Sequence, residues 1–305
     1  MSFLGIIVPY FSNQDFFYRL IDSILGQDTG SWFLTVVDDS GGRDPLVLRP
    51  DLAQDARIAL VTNSQNLGLG KSWNAGIESM KSLHDPEVIA VVHADDELEA
   101  DYVSTVLAAH KANPNAFAVH TEVRIIDEHG QFRFSFPDFV KAVVRPGSSR
   151  DEVVSCGDTG LSQILKGNFI FCPTLSFKTA MCDVPLFDEE WNMAIDLDLI
   201  SRSLLSGKTI VGVSNKVYRY RRHGGNLTSR LNKSTERFTE EIKFYGEISR
   251  TCEEHGFLTS SRVARRMWIV KLHIVYQSVK GVLSGNLSLV KKLLGVLRGS
   301  FKRRE

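Results

Sequence analysis

An α/β fold on a mostly parallel central sheet is what this sequence predicts, on three observations. Short β-branched runs alternate with amphipathic runs through the first 125 residues, the runs at 4–8, 33–37 and 88–92 are almost continuously apolar, and each ends abruptly in polar residues. Strands that alternate with helices form parallel sheets covered on both faces, and strands buried on both faces read as unbroken apolar stretches. Ligands of such sheets bind beyond the carboxyl ends of the strands, where the following loops converge.

Taken in order, residues 4–8 read as a strand, 14–25 as a helix, 33–37 and 58–62 as strands, 71–82 as a helix, 88–93 as a strand, 101–113 as a helix and 116–126 as a strand. Residues 127–160 are turn-rich, with Asp127-Glu128-His129-Gly130 and Arg145-Pro146-Gly147-Ser148-Ser149, and read as one long connection. It is either a lid or acceptor loop or a plain surface excursion. Then come a strand at 173–178, a helix at 193–206 ended by Gly207, and short strands at 210–214 and 217–221. From about residue 235 the alternation stops, and 235–254, 260–282 and 287–297 carry helical spacing.

The composition excludes several classes. The chain has 305 residues, 43% of them hydrophobic and 24% charged, enough to bury a sizeable core and unlike a disordered or collagenous sequence. No stretch reaches the roughly 18 consecutive apolar residues of a membrane-spanning helix, and the first dozen residues have no basic segment of the kind that marks export. Cys156, Cys172, Cys182 and Cys252 show no CxxC spacing, which fits reduced, buried thiols in a cytoplasmic protein. Lys and Arg together balance Asp and Glu at 36 each, but unevenly. Residues 262–305 hold 11 basic residues and one acid, Glu305, so an acidic body of net −10 carries a basic tail of net +10.

Two phosphate-loop patterns fail on inspection. Gly70-Lys71-Ser72 lacks the glycine that a P-loop needs at position 65, which is Gln65, and Gly68-Leu69-Gly70 meets Trp73 where a dinucleotide fingerprint needs its third glycine. The informative cluster is His93-Ala94-Asp95-Asp96-Glu97, at the end of a buried strand. Carboxylates this close repel one another unless solvent or a cation offsets them. Oxygen-rich sites suit Mg2+ or Mn2+, whose remaining coordination positions take waters and substrate phosphates. From these five residues alone, a solvated acidic loop capping the next helix is an equal alternative.

Ile6-Ile7-Val8-Pro9-Tyr10, Leu20-Ile21-Asp22-Ser23-Ile24-Leu25-Gly26-Gln27, Leu34-Thr35-Val36-Val37-Asp38-Asp39-Ser40, the run from Asn63 through Asn66-Leu67-Gly68-Leu69-Gly70-Lys71-Ser72-Trp73-Asn74 to Ile77, and His93-Ala94-Asp95-Asp96-Glu97-Leu98 follow one another over about 95 residues. Together they resemble the GT-A glycosyltransferases of family 2. The resemblance extends through Asp188-Glu189-Glu190-Trp191 and Ala194-Ile195-Asp196-Leu197-Asp198-Leu199 to Tyr220-Arg221-Arg222-His223-Gly224-Gly225-Asn226-Leu227-Thr228. It divides the chain into a catalytic domain at 1–230 and a helical, basic amphipathic region at 231–305.

The resemblance implies a Rossmann-like GT-A sandwich, a nucleotide-diphosphate sugar of the UDP, GDP or dTDP type, and transfer with inversion to a hydroxyl of a glycan or lipid-linked acceptor, in surface polysaccharide or glycoconjugate synthesis. It assigns the base and ribose pocket to Pro9, Tyr10 and Asp39, with Asp38 beside it. A carboxylate there can accept a hydrogen bond from a base N–H or a ribose hydroxyl; the alternative is a turn begun with Ser40-Gly41-Gly42. Asn66, Gly68, Lys71 and Asn74 match the segment that positions the donor. The metal motif falls on His93-Ala94-Asp95 with Asp96 behind it, Asp95 as principal ligand of Mn2+ or Mg2+. His93 stands where an aspartate is common, and an imidazole can ligate Mn2+ or hydrogen-bond a ribose hydroxyl. His223 matches a position that contacts metal or diphosphate, and Arg221 and Arg222 are placed to neutralise the leaving diphosphate. The base that takes the acceptor proton matches Asp196, with Asp198 as fallback, although Ile195 replaces the usual acidic neighbour. The alternative for Asp196 is a helix-start acid facing the dipole.

In the tail, Arg262, Arg265, Arg266, Lys271, Lys280, Lys291, Lys292 and Arg298 accompany Trp268, Leu272, Val275, Leu293, Leu294 and Leu297. This pattern fits either an anionic membrane surface, at the inner face of the cell membrane, or packing on the catalytic domain or a second subunit. No nucleic-acid motif is present, and the acidic body opposes that partner. A nucleotidyltransferase of related fold and a non-catalytic nucleotide-sugar-binding scaffold are the competing functions. The first lacks a glycine-rich basic signature near the N-terminus, and joint retention of Asp39, Asp95 and Asp196 counts against the second.

Overall fold

The computed structural model describes residues 2–42, 45–46, 49–135, 141, 143–147, 152–225 and 235–302. Asn226, Leu227 and Thr228, the end of the last motif above, lie outside them, as does the 230/231 boundary. The elements are β1 (Leu4–Tyr10), α1 (Gln14–Leu25), β2 (Trp32–Asp38), β3 (Ile58–Thr62), α2 (Leu69–Leu83), β4 (Val88–Val91), β5 (Glu97–Leu98), α3 (Tyr102–Ala112), β6 (Ala118–His120), β7 (Val123–Ile126) and β8 (Val153–Ser155). They continue with α4 (Gly157–Lys166), β9 (Leu175–Lys178), α5 (Ile195–Leu205), β10 (Ile210–Gly212), β11 (Tyr218–Arg221), α6 (Glu236–Glu254), α7 (Leu258–Arg266), α8 (Trp268–Leu283) and α9 (Leu287–Lys302).

The main sheet runs β3-β2-β1-β4-β9-β6-β10-β8. Its first four strands are parallel, and β9 and β8 are antiparallel to their neighbours. The register aligns Tyr10 with Asp38 and Asp38 with Thr62, so the carboxyl ends of β1, β2 and β3 share one edge. β1 and β2 are largely apolar because both faces are covered, whereas β3 at the sheet edge is half-buried. Val8, Phe17, Leu20, Tyr102 and Val106 pack on one side, and Ile7, Val37, Ile77 and Met80 on the other. Gly76 brings α2 onto the sheet: a Cβ there would sit 2.4 Å from Ile7 Cγ2, so no side chain fits.

A second sheet, β5-β11-β7, carries the site. β11 pairs antiparallel with β5, Arg219 opposite Glu97, and parallel with β7, Arg221 opposite Ile126. This explains a first departure from the expected elements: the single run expected at 116–126 is two strands in two sheets, because the chain leaves β6 at Thr121 and Glu122 to enter β7. The expected connection at 127–160 ends earlier, in β8 and α4. The apolar positions Leu161, Ile164 and Leu165 gave α4 a helical period, but Gly157 and Gly160 lowered its propensity. The helix expected at 260–282 is two, broken at Met267 in a left-handed conformation with φ 49°.

α6, α7 and α8 join the main core: Phe238, Phe244, Tyr245, Ala264, Val270 and Ile274 belong to the same apolar cluster as Leu161 of α4 and Leu199 of α5. Asp158 at the start of α4 accepts from the amides of Thr259 and Ser260 (2.9 and 2.8 Å) and so caps α7. All four cysteines are free thiols; Cys182 and Cys252 are buried, Cys172 is half-buried and Cys156 is exposed.

Candidate active site

At the shared edge of β1, β2 and β3 the two aspartates do different work. Asp38 Oδ1 accepts from the amide and hydroxyl of Ser40 (2.9 and 2.6 Å), and its Oδ2 is buried without a hydrogen-bond partner. Asp39 Oδ1 accepts from Asn63 Nδ2 and the Leu67 amide, both at 2.8 Å, and Oδ2 accepts from the Gly68 amide at 3.2 Å. Asp39 therefore folds the 63–68 loop that starts α2. Asn66 Oδ1 also accepts from the Gly68 amide (2.9 Å), and Gly68 holds φ +83°, which only glycine adopts readily. Lys71 follows in the first turn of α2, exposed.

The His93-Asp96 loop leaves β4 and is gripped by β11. His223 Nε2 lies 2.8 Å from Asp95 Oδ2. Burial pushes the Asp95 carboxyl up, but the His223 hydrogen bond and the charges of His93 and His223 prevail and hold it below the usual carboxylate range. Asp96 is buried; Tyr218 donates its hydroxyl to Oδ2 (2.8 Å) and Arg221 its amide to Oδ1 (2.7 Å). Burial, with the Asp95 charge added, pushes the Asp96 carboxyl well up. Burial likewise pushes the His93 imidazole down, against the Asp95 charge, and its Nε2 is buried without a partner. His93, Asp95 and Asp96 offer ligand atoms within 4.8 Å of one another. An imidazole that burial disfavours in its charged form, with a buried nitrogen that has no hydrogen-bond partner, beside a carboxylate held low is a donor set that fits a divalent cation.

Asp196 stands in the first turn of α5, where Asn168 Nδ2 donates to its Oδ2 at 3.0 Å. Burial pushes its carboxyl up, opposed by the Lys141 charge, by backbone amides and by Asn168. The two halves of the site meet through aromatic rings: Phe171, beside Cys172, packs on Tyr220 at 5.3 Å, and Arg222 lies over Tyr220 at 4.7 Å. Lys141 covers the Phe171 ring at 4.1 Å. On the α2 side, Trp73 packs on His93 at 5.8 Å and on Phe187 at 4.8 Å.

Comparison with known proteins follows this geometry. The family described as Glycosyl transferase family 2 matches residues 5–156, from β1 through the His93-Asp96 loop to the start of α4. These residues form a family 2 glycosyltransferase domain. No curated protein matches the chain. Among solved structures, S. aureus TarS 1–349 superposes with a TM-score of 0.58 at 16% identity, over 97% of this chain and 91% of that one. Its complex with UDP-GlcNAc gives the same score and identity, over 97% and 92%. The mannosyltransferase PcManGT from Pyrobaculum calidifontis, in complex with GDP-Man and Mn2+, gives 0.60 at 12% identity, over 100% and 88%. Identities this low show likeness of fold, which is the GT-A fold.

Within the glycosyltransferase, three expected roles meet a different geometry. Arg221 does not face a diphosphate: it is fully buried, and its guanidinium donates to the carbonyls of Asp95 (2.8 Å) and Asp127 (2.7 Å), pairs with Glu97 and covers the Phe16 ring at 4.7 Å. The amide of Asn74 is latched to Phe187, donating to the carbonyl at 2.8 Å and accepting from the amide at 3.0 Å. Asp198 is a poor fallback base, since Arg202 Nε holds its Oδ2 at 2.7 Å. Pro9 and Tyr10 end β1 beside Asp38 and Asp39, Ala94 sits between His93 and Asp95, and Arg222 is half-buried.

Sequence reasoning missed three residues that shape the site. Tyr218 anchors the acidic loop, in which Glu97 pairs with Arg221, and Asn168 fixes Asp196. Glu240 of α6 is the third. Its Oε1 accepts from three successive amides, Asn192 (2.8 Å), Met193 (2.7 Å) and Ala194 (3.0 Å), in the turn that launches α5. The signal in the sequence ran along β11 and the two residues after it, where Arg219, Arg221 and His223 meet Glu97 and Asp95 and alternate with Tyr220 and Arg222.

Proposed function

We propose that this protein transfers a sugar, with inversion, from a nucleotide-diphosphate sugar of the UDP, GDP or dTDP type to a hydroxyl of a glycan or lipid-linked acceptor, with Asp196 as general base. Residues 1–230 act as the catalytic domain and 231–305 as its helical extension, in surface polysaccharide or glycoconjugate synthesis at the inner face of the cell membrane. The family match supports the reaction class. The observation that carries the assignment is Asp196: a carboxylate on a helix start, held by Asn168 and pushed up by burial, while the nearby Phe171 ring packs on Tyr220 of β11, the strand that leads into His223.

Asp38 and Asp39 line the base and ribose pocket with Pro9 and Tyr10. Asp39 acts mainly by shaping the Asn66-Gly68 turn that sets Lys71 near the phosphates. His93 and Ala94 border the ribose and diphosphate. Asp95 and His223 are the residues that would hold Mn2+ or Mg2+, with His93 Nε2 and the buried Asp96 behind them; the cation, when bound, supplies charge neutralisation for the leaving diphosphate. TarS and PcManGT, whose structures hold UDP-GlcNAc and GDP-Man, support a nucleotide-sugar donor. Arg222 adds a planar cationic donor beside the diphosphate.

In the transfer itself, the acceptor oxygen bonds the anomeric carbon as the bond from that carbon to the phosphate oxygen breaks. The bonding pair leaves with the nucleoside diphosphate, and the acceptor proton passes to Asp196 Oδ. A carboxylate with a raised pKa is the stronger base for that proton. The deciding experiment is titration of UDP, GDP and dTDP and their sugars, with Mn2+ and with EDTA, into wild-type protein and Asp196→Asn. The expected outcome is metal-dependent binding of one nucleotide in both, with transfer lost in the variant; full transfer by Asp196→Asn would remove the base assignment.

A further inference from the structure

α8 carries two apolar faces. Val270, Ile274, Ser278 and Gly281 point into the protein and are buried. On the opposite side Trp268, Leu272, Val275, Val279, Val282 and Leu283 form a second stripe that the protein leaves in solvent: Trp268 is 71% exposed, Leu272 63% and Leu283 82%. At about 100° per residue these six fall within one face of the helix. The tail's apolar residues thus divide. Leu293 of α9 is buried in the core, whereas Trp268, Leu272, Val275 and Leu294 face outward. A contiguous apolar face on a helix that already has a buried face marks an interaction surface.

Charge selects the occupant. Between Glu254 and Glu305 the sequence has no acidic residue and 11 basic ones. Lys271 and Lys280 flank the stripe on its two sides, and Arg262, Arg266, Lys291 and Lys292 extend the basic rim onto α7 and α9. A second copy docked by the same face would set basic rim against basic rim, without the acidic partners that paired helices use to fix each other. An anionic lipid surface matches both features, taking the apolar stripe at the acyl boundary and the lysines and arginines at the headgroups. The acidic body, net −10 over residues 1–261, is repelled by the same surface and turns the basic face toward it. Trp268 at the stripe's N-terminal end is the residue type that settles at such an interface. Among the described residues no helix is long and apolar enough to cross a membrane, so the helix would lie in the interface plane.

We propose that the outward stripe of α8, with the basic rim of α7 to α9, docks this protein on an anionic lipid bilayer. The proposal does not depend on the donor, the acceptor or Asp196, since its readout is binding alone.

The test is co-sedimentation of the full chain with vesicles of phosphatidylcholine, alone or mixed with phosphatidylglycerol. Trp32, Trp73 and Trp191 are buried, so a blue shift of tryptophan emission on binding reports Trp268. The expected result is sedimentation with anionic vesicles only, falling as salt rises, with the blue shift. Leu272→Glu with Val279→Glu, both at exposed positions, should lower the partition coefficient at least about tenfold. Lys280→Glu should lower it by roughly fivefold or more. Nucleotide titration and melting of each variant confirm that the fold persists. Equal binding to both vesicle types, or no loss in the double variant, overturns the proposal. So does a wild-type dimer that the double variant dissolves, which would give the stripe to a second copy.

Discussion

Replacing Arg221 by methionine separates the role its sequence motif suggests from the role its surroundings impose. In the structure the side chain has no exposed surface. It ties the Asp95 carbonyl, the Asp127 carbonyl and the Glu97 carboxylate into one cluster. Methionine keeps an apolar stem of similar length against Phe16 but removes every donor. Breaking a buried pair by deleting one partner costs about 3–5 kcal/mol, because the other charge stays behind unpaired. Here Glu97 keeps Arg219, whose Nη1 lies 2.8 Å from Oε2, so the lower end applies, about 3 kcal/mol. At roughly 2–3 °C per kcal/mol for a domain of this size, melting should fall by about 6–9 °C without any nucleotide present. The assay is calorimetric melting of apo wild type, Arg221→Met and Arg222→Met. Arg222→Met, at a half-buried position, should melt within about 2 °C of wild type while binding nucleotide more weakly. An Arg221→Met protein that melts like wild type and loses only nucleotide affinity would refute the structural role and return Arg221 to the diphosphate.

Other expectations follow from the same contacts. Glu240→Ala removes the acceptor shared by three amides of the α5 turn, so kcat should fall about tenfold or more with donor KM nearly unchanged, and Glu240→Gln should recover part of it; steady-state kinetics on both decide. Because burial raises the Asp196 carboxyl above its usual 3.8, the acid limb of the kcat profile should lie above that value, read from initial rates across pH. The same shift gives stability that is full at acid pH and lost as pH rises through the folded value, so Asp196→Asn should melt no lower than wild type at neutral pH although it is inactive. Asp95→Ala and His223→Ala should weaken nucleotide binding in Mn2+ by tenfold or more and leave little difference between Mn2+ and EDTA; calorimetric titration measures it.

How much of this was legible depends on whether a residue's role is set by its own segment or by a partner far along the chain. The apolar runs of β1, β2 and β4 and their polar ends announced both the sheet and its ligand-binding edge, because burial on two faces leaves no alternation to misread. The His93-Asp96 cluster was readable for the same reason, three polar residues at the end of a buried strand. Its internal division was not. Asp95 and Asp96 are neighbours in sequence, yet one pairs with His223 and the other is enclosed by Tyr218 and the Arg221 amide. That difference is created by β11, which lies more than a hundred residues away and meets the loop through the two-residue strand β5. Asn74 shows the same limit: it has the right residue type near the right motif and is taken by Phe187, over a hundred residues on, whereas Asp198 is held by Arg202 one turn along its own helix, a pairing the i,i+4 spacing already offered. The chemistry open to a side chain in a motif is set by the partners that the tertiary structure gives its polar atoms.

That rule bears on the C-terminal helices, which lie outside the matched family segment. A tail that served only to bind a partner would have no reason to reach the base, yet α6 supplies Glu240 to the turn before Asp196 and Tyr245 to the Leu165 carbonyl of α4 at 3.0 Å. α8 then packs on α6, with the His273 ring edge-on to Phe238 at 5.2 Å, and keeps its second face outward. One helical unit therefore connects the outward stripe to the turn that launches α5 and carries Asp196, the proposed base. Removing residues 231–305 should then abolish transfer by disturbing α5 and exposing the core face of α4, whereas Leu272→Glu with Val279→Glu on the outward stripe should leave transfer to a soluble acceptor intact. If the truncated protein folds and transfers normally, Glu240 does not brace the base, and the helices serve the bilayer alone.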